Sequence, residues 1–381
     1  MSLTQTVPTA RQLGSLEQLL DSGIAALDIT AAEHRAVELR YNALGRTFEN
    51  HWQQTRSTNT VFPQGSFNLG TVIRRVHHND DIDIDLVATR DLARESVSQF
   101  ELKRDAGRAV RLYARQVVPE SAVKESDRCW TLTFDGMHMD VLPSLDDPDR
   151  QGGVLITDRS VHAWQRSDPR GYADWFFSQL APELLDLRHE FAKNTDVEDV
   201  PEFAVKSTLQ RVVQALKRHR DIYFTNRPKD KPSSVIITTL ATHAYAAVGR
   251  VDLYDALRAI TKVMPRYLTS GPSGWKLANP AQPEENFMDC WNDDPRLSRS
   301  FAQWLEAAIQ DFDAIGARKG LHNVLPRLGA TFGARAQEGA ARATGGSLYA
   351  AQNTGKLVAV TASPTVAPRQ VRSHGFFGGA L

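Results

Sequence analysis

Cysteine and long apolar runs are both scarce in this chain, and their scarcity excludes several classes of protein. The two cysteines, Cys129 and Cys290, stand far apart, each without a second thiol nearby. This spacing supports neither a disulfide framework nor a cysteine-based zinc site, and it favours a reducing cytoplasm. The longest mostly apolar stretch, VIITTLATHAYAAV, is too short to span a bilayer, and the N-terminus lacks the pattern of a signal peptide. We therefore expect no anchorage in a membrane.

An excess of charge of either sign is also missing. The 381 residues carry 45 basic and 45 acidic side chains. A broadly basic surface for duplex nucleic acid is therefore not indicated, although a local basic patch is compatible with this balance. A chain of this length is too long for one ordinary core, so we expect two lobes with extensions.

The chain divides by pattern into four segments. Residues 1–60 have helical periodicity and predict an N-terminal helical spine, whereas residues 61–165 mix strand and helix signals and predict an α/β core. Residues 166–335 are dominated by helical patterns, and residues 336–381 have too little patterned apolar content for a core of their own. The sequence thus predicts an α+β fold in which a mixed core is followed by a helical lobe and a loosely held tail.

Capping signals and periodicity predict several helices. Ser15 with Gln18 and Thr30 with Glu33 have the capping-box spacing, in which two side chains cap the first turn of a helix. Each pair therefore predicts a helix start, and a further helix is expected over Phe100–Val117.

A short helix, a hairpin and a long loop are also predicted. A helical pattern follows a Gly-Ser turn over Phe67–Arg75. The turn Asp135-Gly136 joins CWTLTF to MHMDVLPSL as a hairpin bounded by Pro143. Residues 271–291 are rich in Pro and Gly and predict a long loop, and such loops in compact domains are usually functional or mobile.

Alternating aspartates and isoleucines in DIDID, residues 81–85, indicate a strand. Asp81, Asp83 and Asp85 would point to one face and the isoleucines to the other. Two carboxylates about 4 Å apart repel by roughly 4 kcal/mol at an effective dielectric of about 20, so a site with several of them binds cations or takes up protons. We interpret Asp81 as an outer or solvated member of this set.

Asp140 is placed by pattern to join this acidic face. In the second strand of the hairpin, Met139 and Val141 face one way and Asp140 faces the other. Hard oxygen ligands on strands suit Mg²⁺, and a pair of such ions about 4 Å apart can activate an attacking hydroxyl and stabilise a leaving pyrophosphate. The alternation alone is also typical of a half-exposed strand with a solvated acidic face. The prediction of a metal site therefore depends on the surrounding residues as well.

A Gly-Ser turn stands upstream of the acidic strand. In PQGSFNLGT, the backbone N–H groups and the Ser66 hydroxyl precede a predicted helix, where they can cradle a triphosphate. The dipeptide itself is common in loops. The order of a Gly-Ser turn, a short helix, a strand with Asp-x-Asp and a lone Asp on a later strand is more specific.

This order of motifs resembles the polymerase-beta-like nucleotidyltransferase superfamily, and more narrowly the bacterial relatives of cyclic GMP-AMP synthase and the oligoadenylate synthases. The narrower match is carried by QGSFNLGTVIR, VQALKRHRDIYF, KPSSVIITTLATHAY, LANPAQPEENFMDCW and the terminal HGFFG. The resemblance implies a bilobed fold, with a mixed sheet flanked by helices and a helical lobe that closes a nucleotide cleft. It also implies a synthase of cyclic di- or oligonucleotides from ATP, GTP or both, whose product switches on an effector in anti-phage defence.

The resemblance assigns roles to individual residues. Asp83, Asp85 and Asp140 would be the catalytic carboxylates and would hold two Mg²⁺ ions, with Mn²⁺ able to substitute. Lys217 would reach the triphosphate, with either Ser233 or Ser234 beside it. The full set of expected nucleotide-binding residues is Gln64, Gly65, Ser66, Lys206, Lys217, Ser233, Ser234 and Asp289.

Helical geometry adds Lys206 to this set. Eleven positions, about 1100° of rotation, separate it from Lys217, so both would lie on nearly the same face of one predicted helix. Two solvated lysines on an amphipathic helix are the alternative. In the 271–291 loop, which would border the donor base, Asp289 is either a base reader or an acidic residue at a helix start.

Other expectations concern partners. The zinc ribbon by which the animal cyclic GMP-AMP synthase binds DNA has no counterpart in this sequence. We interpret the adjacent His77 and His78 as solvated turn residues. Direct DNA binding is therefore not expected. Activation by a protein regulator that captures the C-terminal tail is favoured, and the alternative is that the tail is simply disordered. The alternatives for function are a template-independent transferase acting on RNA ends and a nucleotide-binding sensor without turnover.

Overall fold

The computed structural model describes residues 10–54, 59–74, 76, 82–157, 164–187, 205–318, 320–353, 358–359 and 369–370. The helices, numbered in chain order, are α1 Ala10–Ala25, α2 Ala31–Trp52, α3 Gly65–Asn68, α4 Gln99–Val117, α5 Pro169–Ser178, α6 Thr208–Tyr223, α7 Ser234–Val248, α8 Leu253–Val263, α9 Asp289–Asp293, α10 Arg296–Gly316, α11 Leu321–Phe332 and α12 Ala334–Asn353. The strands are β1 Val61–Gln64, β2 Ile82–Arg90, β3 Val123–Glu125, β4 Trp130–Phe134, β5 Met137–Asp146, β6 Val154–Ile156, β7 Gln165–Ser167, β8 Thr269–Gly271, β9 Gly274–Lys276, β10 Val358–Ala359 and β11 Arg369–Gln370. An unnumbered helical stretch covers 181–187. The predictions for Asp81, for His77 and His78 and for the terminal HGFFG lie outside the described residues.

The chain divides into two compact units. One unit is Leu27–Ala314, and the other combines Met1–Ala26 with Ile315–Leu381. In the latter unit, α1 packs against α11 and α12. The packing of α1 on α12 is close, because a Cβ atom added at Gly23 would lie 3.0 Å from the backbone oxygen of Ala336. The four segment boundaries expected from the sequence stay predictions.

One of the two predicted capping boxes is confirmed. The Thr30 side chain accepts a hydrogen bond from the backbone N–H of Glu33, whose carboxylate caps the backbone of Thr30 in return. The box at Ser15 is wrong, because α1 already begins at Ala10. Residues 10–13, Ala-Arg-Gln-Leu, are strong helix formers and extend the helix backwards through Gly14.

The larger unit is built on a mixed sheet. Its strand order is β1-β2-β5-β4-β3, with β6 paired to β5 and β7 paired to β6. Strands β2 and β5 are parallel, and the other neighbours are antiparallel. This mixed sheet, flanked by helices and followed by a helical region, confirms the predicted fold class.

One face of the sheet is the hydrophobic core of this unit. Ile84 and Leu86 of β2 and Met139 and Val141 of β5 are buried there together with side chains of α2 and α4. Each such side chain contributes about 1.5–3 kcal/mol by its burial. Because side chains alternate along a strand, the aspartates of β2 and β5 are directed to the opposite face.

The helix predicted over Phe67–Arg75 is wrong in both of its bounds. The helical turn α3 ends at Asn68, and Gly70 then has a φ of +64°. This left-handed conformation breaks a right-handed helix, and the β-branched residues at 71–73 disfavour its renewal. Residues 71–74 are instead irregular chain.

The predicted hairpin is confirmed as β4 and β5, with Gly136 in its turn at φ +74°. Pro143 does not bound it, because β5 continues to Asp146. Pairing with β4 ends at Val141, and pairing with β6 begins at Ser144. Pro143 therefore lies between two partner strands, where its missing N–H costs no hydrogen bond to either.

The second half of the larger unit is mostly helical, as predicted, and the helix expected over Phe100–Val117 is confirmed as α4. The stretch 271–291 is more ordered than predicted, since it contains most of the β8–β9 hairpin and the start of α9. Among the described helices, none has the length and apolar character needed to cross a membrane.

Candidate active site

Asp83, Asp85 and Asp140 lie on one face of the parallel strands β2 and β5. Asp85 is directly opposite Asp140 in the register, and Asp83 is opposite His138. Because neighbouring strands are about 4.8 Å apart, the side chains of Asp85 and Asp140 are adjacent on this face. The structure thus brings the three predicted carboxylates together.

Asp85 carries the largest electrostatic cost of the three. Burial, followed by the charges of Asp140 and Asp83, raises the pKa of Asp85 to about 6, against the opposing effect of Lys217. Burial and the two acidic neighbours therefore outweigh the positive charge of Lys217 at Asp85. A bound cation would supply further positive charge.

The two remaining carboxylates differ in their surroundings. The Asp140 side chain accepts a 2.5 Å hydrogen bond from the Thr131 hydroxyl on β4, which fixes its orientation. The side chain of Asp83 is 55% exposed, with its Oδ1 atom 4.0 Å from Nδ1 of His138. Asp83 is therefore the most accessible of the three carboxylates.

The Gly-Ser turn lies directly against the acidic strand. Gln64, the last residue of β1, is opposite Asp85 in the antiparallel register with β2. Gly65 then has a φ of +58°, and the backbone N–H of Thr71 donates to the Ser66 carbonyl at 2.8 Å. The N–H groups of a first helical turn have no partner within the helix, so those of α3 are available to phosphate oxygens.

Lys217 of α6 is buried beside the carboxylates. Its Nζ atom donates a 2.9 Å hydrogen bond to the carbonyl of Thr71. Burial and the charge of Arg220 lower the pKa of Lys217 to about 8, against the opposing effects of Asp221 and Asp85. The ammonium group therefore stands close to both the acidic face and the segment that follows the Gly-Ser turn.

The prediction that Lys206 shares a helical face with Lys217 is wrong. Helix α6 begins at Thr208, after the N-cap Ser207 and its capping box with Gln210, so Lys206 precedes the helix. It lines a separate cavity of about 710 Å³, and burial lowers its pKa. Its expected contact with a nucleotide stays a prediction.

The two candidate serines lie at the start of α7 and have different surroundings. The Ser234 hydroxyl accepts a 2.8 Å hydrogen bond from Nη1 of Arg220, which also donates to the carbonyl of Pro232. Ser233 is the N-cap residue, its side chain makes no capping hydrogen bond, and it is exposed. Of the two hydroxyls, that of Ser233 is thus the more accessible to a ligand.

A charged cluster beside Lys217 was not singled out from the sequence. The Asp221 carboxylate accepts a 2.8 Å hydrogen bond from Arg220, and Lys231 lies 3.4 Å from the same oxygen. Burial tends to raise the pKa of Asp221, but Arg220 and Lys231 outweigh it, so the pKa is lowered. The basic run KRHRD in α6 was the available signal, and such a cluster suits phosphate groups.

The loop before α9 is organised by Asn286. Its amide oxygen accepts from the Leu277 N–H at 2.8 Å, and its amide nitrogen donates to the Trp275 carbonyl at 3.0 Å and to Asp289 at 2.6 Å. Asp289 is the first residue of α9, and it also borders the cleft described below. Both interpretations of Asp289 given above are compatible with this position.

Glu285, in the same loop, is a further acidic residue to which sequence reasoning assigned no role of its own. Its Oε2 atom accepts hydrogen bonds from Asn279 at 2.7 Å and from the Ser167 hydroxyl at 3.0 Å. Burial raises the pKa of Glu285. One partner, Asn279, lies in the same loop, whereas Ser167 is 118 residues away in the sequence, and a local pattern gives no sign of that second contact.

One cleft of about 1300 Å³ joins these groups. Every expected nucleotide-binding and catalytic residue except Lys206 lines it. Its volume exceeds the roughly 300–1000 Å³ of a site for one small ligand, which leaves room for more than one nucleotide. The lining residues that were not predicted include Arg128, Tyr172, Arg220, Asp221, Lys231, Glu285 and Asn286.

The acidic face fits a metal site by its chemistry. Within the described ranges, no three His, Cys, Asp or Glu side chains are already arranged as a set that could hold a metal ion. Three carboxylates on adjacent strands are nevertheless the hard oxygen donors that Mg²⁺ prefers, and burial together with the charges of Asp140 and Asp83 raises the pKa of Asp85, a cost that a bound cation would offset.

The chain is similar to a family of nucleotide second-messenger synthetases and to two synthases of cyclic dinucleotides. Residues 15–179 match the model of the Second Messenger Oligonucleotide or Dinucleotide Synthetase domain. A c-di-GMP synthase of Roseivirga ehrenbergii is 29% identical over 252 residues, which are 64% of this chain and 64% of that protein. The matched part of the chain thus spans less than two thirds of this relative. The cyclic dinucleotide synthase CdnG of Bradyrhizobium diazoefficiens is 26% identical over 308 residues, 74% of this chain and 71% of that protein.

Solved structures share the fold. A structure of the CdnG protein from Bradyrhizobium diazoefficiens in complex with GTP has a TM-score of 0.68 at 22% identity, covering 87% of this chain and 99% of that one. A complex of Escherichia coli MS115-1 CdnC with HORMA-deltaN has a TM-score of 0.58 at 13% identity, covering 81% and 94%. The chain therefore shares the fold of these two solved structures.

Proposed function

We infer that the chain is a cGAS/DncV-like nucleotidyltransferase, and from this premise we propose that it joins nucleoside triphosphates into a cyclic di- or oligonucleotide second messenger. The observation that carries the proposal is the placement of Asp83, Asp85 and Asp140 on one sheet face, between the Gly-Ser turn and Lys217, in a cleft that exceeds the size of a single-ligand site. GTP is the first substrate to test, because the relatives include a c-di-GMP synthase and a structure with GTP. ATP is the second.

The family is generally metal-dependent. We propose that Asp83, Asp85 and Asp140 hold two Mg²⁺ ions, with Mn²⁺ able to substitute. Bound there, the ions would act as Lewis acids on the acceptor hydroxyl and on the triphosphate. The Asp140 carboxylate, oriented by Thr131, also helps to lower the pKa of the acceptor hydroxyl.

The reaction transfers a nucleotidyl group. A ribose hydroxyl of the acceptor attacks the donor α-phosphorus in line, a new phosphorus–oxygen bond forms, and the bond to the departing pyrophosphate breaks. The N–H groups at Gly65 and Ser66 and the Lys217 ammonium would hold the β- and γ-phosphates and neutralise the charge that moves to them. A second round on the linear intermediate closes the ring.

The biological setting is proposed by the same analogy. The product would activate a downstream effector in anti-phage defence, in the cytoplasm where nucleoside triphosphates are available. The CdnC complex with HORMA-deltaN supports a protein regulator, and we propose that such a regulator acts on the C-terminal tail. The balanced charge of the chain gives no support to direct DNA binding.

The test is a product assay with labelled substrates. The purified protein is incubated with Mg²⁺ or Mn²⁺ and radiolabelled ATP and GTP, and the mixture is then digested with phosphatase. We expect a phosphatase-resistant product that is absent from the variant combining Asp83→Ala with Asp85→Ala. Asp135→Ala is the matched control, because Asp135 is an exposed acidic residue in the β4–β5 turn, outside the cleft lining. Equal product from the double variant would refute the proposal.

Two other functions give different outcomes in the same assay. A transferase acting on RNA ends would extend a labelled oligonucleotide and leave free triphosphates unjoined, whereas a sensor would bind triphosphate without forming any product. The balanced charge of the chain gives no support to an extended RNA surface. The relatives described above, which are named as synthases, favour turnover.

A further inference from the structure

Four side chains of α6 donate hydrogen bonds to the chain that follows the Gly-Ser turn. The donors and acceptor carbonyls are Gln210 with Leu69 (2.9 Å), Lys217 with Thr71 (2.9 Å), Gln214 with Val72 (2.9 Å) and Arg218 with Arg74. Positions 210, 214, 217 and 218 recur at helical spacing, so they form one face of α6. We call these four residues the α6 donor row.

The donor row supplies the hydrogen bonds that a helix or strand would otherwise give to residues 71–74. Residues 71–74 belong to neither helix nor strand, so their buried carbonyls need donors from elsewhere in the protein. Gly70 lets this segment approach the helix, because a Cβ atom there would lie 2.6 Å from Nε2 of Gln210 and its φ is +64°. The segment and α6 are therefore fitted to each other.

The donor row is coupled to the candidate phosphate-binding turn. The N–H of Thr71 donates to the carbonyl of Ser66 at 2.8 Å, so Thr71 is bonded to the turn on one side and to Lys217 on the other. The neighbouring carbonyl of Val72 is held by Gln214. Fixing Thr71 and Val72 in this way fixes the position of Ser66.

Gln214 is the best supported member of the row. It is completely buried, and its amide nitrogen donates both to Val72 and to Oδ1 of Asp28 at 2.6 Å. Arg211 donates to the Gln214 amide oxygen at 3.1 Å and to Oδ2 of Asp28 at 2.7 Å. Gln214 does not line the cleft. A neutral, buried amide with all these bonds cannot neutralise phosphate charge, but it can hold the backbone.

We propose that Gln214, braced by Asp28, is a positioning residue that keeps the Gly-Ser turn in its triphosphate-binding conformation. Gln214 matters because Lys217 has two roles: it donates to the carbonyl of Thr71, and it is proposed to contact the triphosphate. If the Lys217 ammonium turns towards phosphate oxygens, it gives up part of its bond to Thr71, and the neutral donors must then hold the segment. This inference rests on the proposed function for its kinetic readout, but its structural readout is independent of turnover.

The first test replaces Gln214 by Met, which keeps the length of the side chain and removes its hydrogen bonds. We expect KM for the triphosphate to rise about tenfold, the change produced by loss of one or two buried hydrogen bonds, and kcat to change less than about threefold. Backbone hydrogen exchange over residues 65–72 should become faster. Gln210→Glu, which keeps the side-chain oxygen that caps Ser207 and removes the amide donor to Leu69, provides a second variant that tests the same inference if Gln214→Met folds poorly.

A matched control separates positioning from stability. Thr261 of α8 is also completely buried, and its hydroxyl donates a 2.7 Å hydrogen bond to the carbonyl of Leu257, away from the cleft. We expect Thr261→Val to lose a comparable part of the free energy of unfolding and to leave KM unchanged. A Gln214→Met variant that behaves like this control, with KM and exchange of residues 65–72 unaltered, would overturn the inference.

A charge-swapped pair tests which bond of Gln214 matters. Combining Asp28→Asn with Gln214→Glu lets the new amide donate to the new carboxylate, but it leaves the carbonyl of Val72 facing an acceptor. We expect the pair to recover stability relative to Gln214→Glu alone without recovering KM. Recovery of a wild-type KM would contradict the inference, since the Asp28 brace would then suffice. Absence of product from the wild-type protein would instead refute the proposed function, while exchange over residues 65–72 would still decide the inference.

Discussion

Gly65 and Asp85 approach each other so closely that a Cβ atom added at Gly65 would lie 2.7 Å from Oδ2 of Asp85. The two residues are brought together by the antiparallel pairing of β1 with β2, in which Gln64 is opposite Asp85. The same glycine has a φ of +58°. The turn that would bind phosphate and the carboxylate that would bind metal are therefore in direct contact, and no side chain fits between them.

We expect Gly65→Ala to abolish most of the activity. The methyl group would displace the Asp85 carboxylate, and a misplaced catalytic group costs on the order of 100-fold in rate. Gly136→Ala is the matched control, because Gly136 has a φ of +74° but nothing lies within 4 Å of its added Cβ atom. Both variants should lose about 1–3 kcal/mol from backbone strain, measured by denaturant unfolding, and only the first should lose turnover. Equal activity losses would show that strain alone is responsible.

Asp85 should destabilise the protein when no metal is bound. Its pKa is raised from 3.8 to about 6 in the folded state, so the ionised form is disfavoured and the cost grows as the pH rises through this interval, then stays constant. We expect Asp85→Asn to raise the free energy of unfolding at pH 7.5 in EDTA by up to about 3 kcal/mol, and to give no gain below pH 4.

The control for this experiment is Asp83→Asn, since Asp83 is largely exposed and should give a smaller gain. Adding Mg²⁺ should stabilise the wild-type protein and leave Asp85→Asn nearly unchanged. An Asp85→Asn variant that is less stable than the wild type at pH 7.5 without metal would contradict the interpretation of Asp85 as a carboxylate whose burial and acidic neighbours outweigh the charge of Lys217.

The acidic face could be predicted because its pattern is local. Alternation with period two fixes which way Asp83 and Asp85 point, and the Asp135-Gly136 turn fixes the strand that carries Asp140. The parallel pairing that places Asp85 opposite Asp140 could not be derived in this way, since it depends on the crossover between β2 and β5.

The errors arose where local signals were overridden or overlooked. The apparent periodicity that included Lys206 ignored the capping box of Ser207 and Gln210, which starts α6 two residues later. The helix expected after the Gly-Ser turn ignored the left-handed conformation that Gly70 permits. The contact of Glu285 with Ser167 joins segments that are 118 residues apart in the sequence, and a local pattern holds no information about it.

The two candidate serines should differ in their contribution to binding. The Ser234 hydroxyl is engaged by Arg220, whereas Ser233 is exposed and makes no capping bond. We expect Ser233→Ala to raise KM for the triphosphate about three- to tenfold through loss of one hydrogen bond to a charged ligand, with unchanged stability. Ser234→Ala should lower the free energy of unfolding, because Arg220 loses a partner. The reverse pattern in the two variants would assign the contact to Ser234.

Lys217 should impose a limit on activity at high pH. Its pKa is lowered to about 8 in the structure, so the ammonium loses its proton as the pH rises through 8, and the positive charge available to the triphosphate is lost with it. We expect kcat/KM of the wild-type protein to fall above about pH 8. Lys217→Arg keeps the charge at every pH in this range, so its profile should lack that decline even if its rate is lower throughout.

Lys217→Met should lose about 100-fold in kcat/KM at pH 7, whereas Lys206→Met, in the separate cavity, should stay within about twofold. A decline above pH 8 that persists in Lys217→Arg would assign the titration to another group, and a large loss in Lys206→Met would place the second cavity in contact with the nucleotide.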